Sequence, residues 1–321
     1  MRLLTFTTAA QREPHLGVLA AGGAVVDLTA TGSAHLRDSL AFLDGGEEAR
    51  AEAEQAKAVA RITLPLASLT LLAPVPVPRS IRDCMVFEQH IVQATRTVTG
   101  WHFKPLVVFD RWMRGLGGRG VIKAPAVWYE HPVYYKSNRF SVVGPGADVR
   151  IPRACRKFDY ELEIGIFIGR GGRDIPKERA HAHIGGFTIF NDFSARDIQM
   201  REITGRLGPA KGKDFDTGNA MGPWLVTPDE IPDPYALSMR ARVNGEERSR
   251  GTTADMHYRW DEVIAYVSQD ETLHPGEFIG SGTVGGGCGL EQDVYLKAGD
   301  VVELEVDGLG VLRNPVVPPQ A

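Results

Sequence analysis

The chain has 321 residues, 43% hydrophobic and 24% charged, with a formal net charge of −4 at pH 7. This composition supports one large core, or one large core with a small satellite, and carries no basic footprint for nucleic acid. No apolar run approaches the length of a membrane span.

The opening MRLLTFTTAAQREPHLGVLAAGG lacks a sustained apolar segment with a cleavage site, so no signal peptide is expected. It reads as short strands over Leu3 to Thr7, Leu16 to Ala20 and Ala24 to Leu28, with Gly22 and Gly23 as a turn. His35 to Leu43 and Glu47 to Ala60 read as helices. Pro74, Pro76 and Pro78 then enforce an extended chain. A boundary is expected there, with 1–75 a small N-terminal α/β module and 76–321 the second domain. A buried connector inside one domain is the alternative. In IRDCMVFEQHIVQATRTV, Asp83 can cap a helix on which Val86, Phe87, His90, Ile91 and Ala94 share a face. His90 is then either a core histidine bonded to a carbonyl or a general base. Residues 111–123, RWMRGLGGRGVIK, are basic and glycine-rich without P-loop spacing and read as a mobile surface loop.

In Phe158 to Gly169, Tyr160, Leu162, Ile164, Ile166 and Ile168 alternate with Asp159, Glu161, Glu163, Gly165 and Phe167. That period of two predicts a strand with one apolar face and three carboxylates on the other. Such charges repel unless water or a cation stands between them. The face is therefore either solvated or lines a pocket for a hard divalent cation such as Mg²⁺, Mn²⁺ or Ca²⁺. Phe187 to Phe190 is an apolar strand with Asp192 at its end. His181 and His183 fall on a short helix, where i and i+2 do not share a face, which argues against a zinc or copper site. Lys211, Lys213, Asp214 and Asp216 crowd a glycine-bounded loop, either a charged surface turn or a place for a lysine that polarises an oxyanion. Asn244-Gly245 marks a hairpin, and Arg259 to Ser268 an amphipathic helix. GSGTVG, residues 280–285, formally matches G-x-G-x-x-G, but glycines rather than a helix follow it, so a dinucleotide site is rejected. The amides of this loop and Thr283 are expected to touch a ligand carboxylate or oxyanion. Strands follow around Val301 to Val306 and Leu309 to Asn314. Cys84, Cys155 and Cys288 are odd in number and lack C-x-x-C spacing, which fits a reducing cytoplasm.

Five segments, RDCMVFEQH, DYELEIGIFIG, NDFSARDIQ, GKDFDTGNAMGPW and IGSGTVGGGCGLE, spread in order from residue 82 to 291. Together they resemble the fumarylacetoacetate hydrolase superfamily, closer to fumarylacetoacetase-like bacterial members than to the short acylpyruvase type. The resemblance implies a mainly β, α+β fold, a mixed β-sandwich roll, as a homodimer. It implies a divalent metal, Mg²⁺ or else Mn²⁺ or Ca²⁺, held by Asp83, Glu161, Glu163 and Asp192. His90 would be the general base, Glu291 its orienting glutamate, and Lys213 the lysine that neutralises an oxyanion or enolate. Lys213 and Thr217 would mark a second ion position, and Gln199 and Thr283 would contact substrate.

The implied reaction is hydrolysis of a C–C bond in a 1,3-diketone or 2-oxo acid by water attack and enolate stabilisation. Decarboxylation, isomerisation or hydration of 2-oxo-enoic acids is the alternative within the superfamily, and a catalytically silent binding protein the alternative outside it. Met85, Thr99 and Ile203 stand where fumarylacetoacetate hydrolase carries a tyrosine, an arginine and a tyrosine that grip its substrate. A related reaction on a different substrate is therefore expected.

Overall fold

The computed structural model describes residues 1–118 and 120–320. Arg119, inside the expected basic loop, and Ala321, the end of the expected second domain, lie outside the described residues.

The architecture is mixed α+β. Among the described residues, a long sheet of twelve strands runs through the molecule. Its middle carries Arg2–Thr7, Asn219–Val226, Ile184–Asp192, Glu163–Ile168, Phe278–Gly280, Ile81–Cys84 and Tyr134–Ser137 in that spatial order. The Phe278–Gly280 and Ile81–Cys84 pair is parallel, and the other neighbours along this run are antiparallel. A second sheet of five strands includes the hairpin Ser238–Val243 and Glu246–Thr252, turned at Asn244 and Gly245 with φ of 55° and 82°. Successive positive φ values are what an Asn-Gly hairpin turn supplies.

The strand Glu163–Ile168 is buried along its whole length, so of the two alternatives for its carboxylate face the solvated one does not hold. Ile164, Ile166 and Ile168 join a core with Met239, Ala241 and Leu304 of the five-stranded sheet and Val263 and Ile264 of the helix Trp260–Val267. Phe167 enters a core on the other side, with Phe190, Phe278 and Leu225 and with Phe42, Leu43, Ala49 and Ala53 of the helix Ser39–Val59. Burying each large aliphatic or aromatic side chain contributes about 1.5–3 kcal/mol, so this strand is fastened from both sides. Gly165 is required there, because a Cβ would lie 2.1 Å from the Phe278 ring. Asp38 caps the helix Ser39–Val59 by accepting from the Ala41 amide, and Gly46, at φ 53°, kinks it between the two expected helical runs.

Two further expectations change. Asp83 is not a helix cap: Ile81–Cys84 is a strand, bonded to Phe278–Gly280 on one side and Tyr134–Ser137 on the other. The helix starts later, at Glu88–His102. Arg111 to Gly115 are not loop, because they close the helix Lys104–Gly115. Among the described residues, no helix is long and apolar enough to cross a membrane.

Candidate active site

The long sheet delivers three carboxyl groups to one place. Asp83 comes from the third residue of Ile81–Cys84, Glu163 from the first residue of Glu163–Ile168, and Asp192 from the last residue of Ile184–Asp192. Gly280 lies beside Asp83 in the parallel register, where a Cβ would come 2.3 Å from Asp83 Oδ1. One oxygen from each of Asp83, Glu163 and Asp192 lies within 4.8 Å of the others. All three residues are buried, and Glu163 Oε2 and Asp192 Oδ1 have no hydrogen-bond partner. Burial first, then the neighbouring carboxylates, push Asp83 and Glu163 well above the usual carboxylate range. Burial also raises Asp192, to about 6, despite the opposing pull of Lys213.

Glu161 belongs to the same pocket but stands apart from this trio. Arg196 Nη2 donates to its Oε1 at 2.7 Å, and Lys213 Nζ donates to its Oε2. Burial alone would raise Glu161, yet Arg196 and Lys213 hold it below its ordinary value. Lys213 is itself buried and donates also to Asp192, and those two carboxylates outweigh burial and keep the ammonium protonated. Five buried carboxyl groups, Asp83, Asp159, Glu161, Glu163 and Asp192, thus share two cations, Arg196 and Lys213. Orphaned hard oxygens and an excess of negative charge fit a hard divalent cation, which takes oxygen ligands.

His90, in the first turn of Glu88–His102, lines the same cavity. Its Nδ1 lies 2.6 Å from Glu291 Oε1, and Glu291 Oε2 accepts from the Gly286 amide at 2.6 Å. A carboxylate can only accept, so Nδ1 carries the proton and Nε2 keeps its lone pair, as a general base requires. Cys288 Sγ is 3.7 Å from the same Glu291 oxygen.

Several amides of the glycine-rich loop grip the site's own carboxylates. Gly282 donates to Asp83 at 3.2 Å, Gly286 to Glu291, and Gly289 and Leu290 to Asp159 at 2.7 and 2.9 Å. Gly282 is at φ 77°, and a Cβ there would lie 2.1 Å from the Cys84 carbonyl oxygen. Thr283 Oγ1 donates to Glu163 Oε1 at 3.2 Å. Gln199 lines the cavity and accepts from Arg196 Nη1 at 3.1 Å. Thr217 does not line it; its hydroxyl accepts from the Arg150 amide at 2.9 Å.

Arg196 and Tyr135 were not singled out from the sequence, and Asp159 was read only as one of three carboxylates on a strand face. Arg196 is 2% exposed and bridges Asp159 and Glu161. Asp159 ties that arginine to the turn carrying Glu291. Tyr135 donates its hydroxyl to Asp192. The signal available for Tyr135 was its place in an aromatic stretch beside Lys136, which itself meets the Glu271 carboxylate. Asp83, Glu161, Glu163, His90, Arg196 and Lys213 line one cavity of about 500 Å³, and Asp159, Asp192 and Glu291 hold them from outside its lining. A larger cleft of about 860 Å³ is lined by Glu88, Arg96, Arg114 and Lys123, and none of the three clustered carboxylates reaches it.

A family model for the fumarylacetoacetate (FAA) hydrolase C-terminal region matches residues 114–317. The chain belongs to the fumarylacetoacetate hydrolase family. Full-length relatives extend the likeness over Asp83 and His90. The human protein named oxaloacetate tautomerase FAHD2A, mitochondrial, is 34% identical over 322 residues, covering 99% of this chain and 92% of the relative. Among solved structures of the family, fumarylacetoacetate hydrolase from Exiguobacterium antarcticum superposes with a TM-score of 0.74 at 28% identity over 99% of both chains. Maleylpyruvate hydrolase from Sphingobium sp. SYK-6, in complex with manganese(II) and pyruvate, gives 0.73 at 25% identity over the whole of both chains. Fumarylacetoacetate hydrolase family members thus carry hydrolase, isomerase and tautomerase names.

Proposed function

We propose that this chain is a divalent-metal-dependent enzyme that interconverts keto and enol forms of a 2-oxo acid. The observation that carries this reading is the His90–Glu291 pair, 2.6 Å apart, with His90 lining the same cavity as Asp83 and Glu163 of the buried carboxylate trio. Asp83, Glu163 and Asp192 would hold the metal, with Glu161 beside them. Mg²⁺ is the expected ion, and the manganese of the Sphingobium enzyme supports a divalent one. When bound, such an ion withdraws electron density from the oxo group and acidifies the protons on the neighbouring carbon.

His90 Nε2 takes a proton from C3 of the keto form, leaving an enolate; the imidazolium then gives up that proton, directly or through water, to the enolate oxygen, and the reverse sequence takes the enol proton and returns one to C3. Glu291 keeps the ring in the tautomer that can do so and stabilises the imidazolium formed. The Lys213 ammonium, fixed by Asp192 and Glu161, supplies positive charge beside the developing enolate oxygen. Thr283 and Gln199 lie on the cavity wall where they can orient the substrate. The name of the human relative supports this choice of reaction.

C–C hydrolysis is the second reading, and the hydrolases among the solved neighbours favour it. In that case His90 Nε2 takes a proton from water, and the resulting hydroxide bonds to the acyl carbon. The C–C bond breaks, and its electron pair leaves on C3 of the 2-oxo acid, which recovers the proton from His90. We further propose that residues 1–75 form a buttress and residues 76–320 carry the chemistry. The packing of Phe42, Ala49 and Ala53 against Phe167, Phe190 and Phe278, behind the carboxylate strands, supports that division.

Proton NMR in D₂O of a 2,4-dioxo acid with the Mg²⁺- or Mn²⁺-loaded protein separates the readings. Loss of the C3–H signal with the carbon skeleton intact is expected. Two acid fragments would move the assignment to hydrolysis. Neither event, with metal bound, would overturn both readings.

A further inference from the structure

The cavity is lined by two chemically different sets of side chains. Asp83, Glu161, Glu163, Lys213 and Arg196 form one. Met85, Ile91, Ala94, Val98, Ile203 and Pro209 form the other, with the hydroxyls of Thr95 and Thr99 among them. Ala94 and Val98 stand one and two turns beyond His90 on the helix Glu88–His102, so the apolar wall begins where the dyad ends. Lys213 and Arg196 are the only cations among the described residues that line the cavity, and both are committed. Arg196 serves Asp159 and Glu161, and Lys213 serves Glu161 and Asp192.

A second carboxylate on the substrate would therefore lie against the apolar set without a counter-charge. Taking an ionised carboxylate out of water without a partner is strongly unfavourable, whereas each methylene buried against such a wall is favourable. The volume, about 500 Å³, falls within the range of small-molecule sites and exceeds what a bare three-carbon oxo acid would fill.

We propose that this cavity takes a 2-oxo acid bearing one carboxylate and an uncharged alkyl or aryl tail, rather than a dicarboxylate. The acid head lies beside the carboxylates and the metal, and the tail runs along Met85, Ala94, Val98 and Ile203. The unbranched Met85 side chain, 39% exposed, can adapt to tails of different shape. The placement of the head rests on the enol chemistry proposed above, while the preference for the tail rests on the wall alone.

The test uses N-alkyl oxamates, which are unreactive 2-oxo acid mimics, titrated calorimetrically into the Mg²⁺-loaded protein. From methyl to butyl, affinity is expected to rise about fourfold per methylene. An oxamate whose tail of equal length ends in a carboxylate should bind at least tenfold more weakly than its uncharged counterpart. Ile203→Arg is a second variant: Ile203 is 45% exposed at the rim, so the longer side chain can be accommodated, and it should narrow that tenfold gap. Equal binding of the two tails, or tighter binding of the charged one, overturns the assignment. Failure of every oxamate to bind also overturns it, and removes the placement of the head. Tail-dependent binding with no turnover of any 2,4-dioxo acid supports the tail assignment while the reaction proposed above fails, so the two failures are told apart.

Discussion

The strand wall of the cavity and its helix wall are held by different means. Asp83, Glu163 and Asp192 sit on strands bonded to neighbours on both sides, with Ile164, Ile166 and Phe167 fully buried behind them. The helix Glu88–His102 buries only His90, Ile91 and Val92. The next helix, Lys104–Gly115, buries Val107 and Asp110 and leaves Phe109 and Trp112 exposed. The difference teaches a division of labour. On the proposed reading, the groups that would hold a doubly charged ion are set in the stiffest part of the fold. The surface that would meet the variable part of a substrate is set on an element with fewer restraints, and a helix of few buried contacts opens at low free energy.

The first way to break this comparison is at the point where the walls meet. His90→Ala removes the one base that the helix wall contributes, and a rate loss of about 10²–10⁴ is expected with the fold intact. Steady-state kinetics together with a far-UV melt will show it. Near-normal turnover would mean that the strand wall performs the proton transfer by itself.

Next in size is Arg196→Met, on the strand side. It leaves Asp159 and Glu161 buried without their guanidinium, and losing one partner of such a buried pair costs about 3–5 kcal/mol. Urea unfolding measures this, and a change below 1 kcal/mol would show that water reaches the strand wall and that its stiffness has another source.

What could be read from the sequence follows the same division. Glu161 and Glu163 were legible because strand alternation is a local pattern, and four hydrophobic residues between them and Gly169 keep the period. Asp192 was legible as the end of an apolar run. Asp83 was not legible as a strand residue, because what makes Ile81–Cys84 a strand is pairing with Phe278–Gly280 and Tyr134–Ser137, both distant along the chain. Locally, an aspartate before an amphipathic run looks like a cap. Arg196 was missed for a related reason: an arginine in FSARD reads as surface until Asp159 and Glu161 are folded against it. The glycine-rich loop was legible as functional, but its partners were not, since only the folded chain shows its amides turned onto Asp83, Asp159 and Glu291. The mixed α+β class and the family were visible from the five segments alone.

A smaller effect sharpens the strand side. Gly282→Ala places a side chain at φ 77° and a Cβ against the Cys84 carbonyl, next to the amide that holds Asp83. The left-handed conformation alone costs about 1–3 kcal/mol for a residue other than glycine. Because backbone rather than a flexible side chain stands in the way, the strand Ile81–Cys84 must shift. Loss of stability is therefore expected to be accompanied by weaker Mg²⁺ binding, read by calorimetry. Lost stability with unchanged metal affinity would show that Asp83 is placed by its sheet partners and not by this loop.

The smallest expected effect lies on the helix side. Trp112 is 58% exposed and stacks on Phe109, with ring centroids 6.0 Å apart. Surface changes away from buried features usually stay within about 0.5 kcal/mol. Trp112→Ser should therefore leave the urea midpoint almost unmoved at any protein concentration. A larger loss that grows on dilution would mean that a second copy covers this face in solution, as expected of a homodimer. The helix wall would then owe its order to association, while the strand wall owes its order to the packing within one chain.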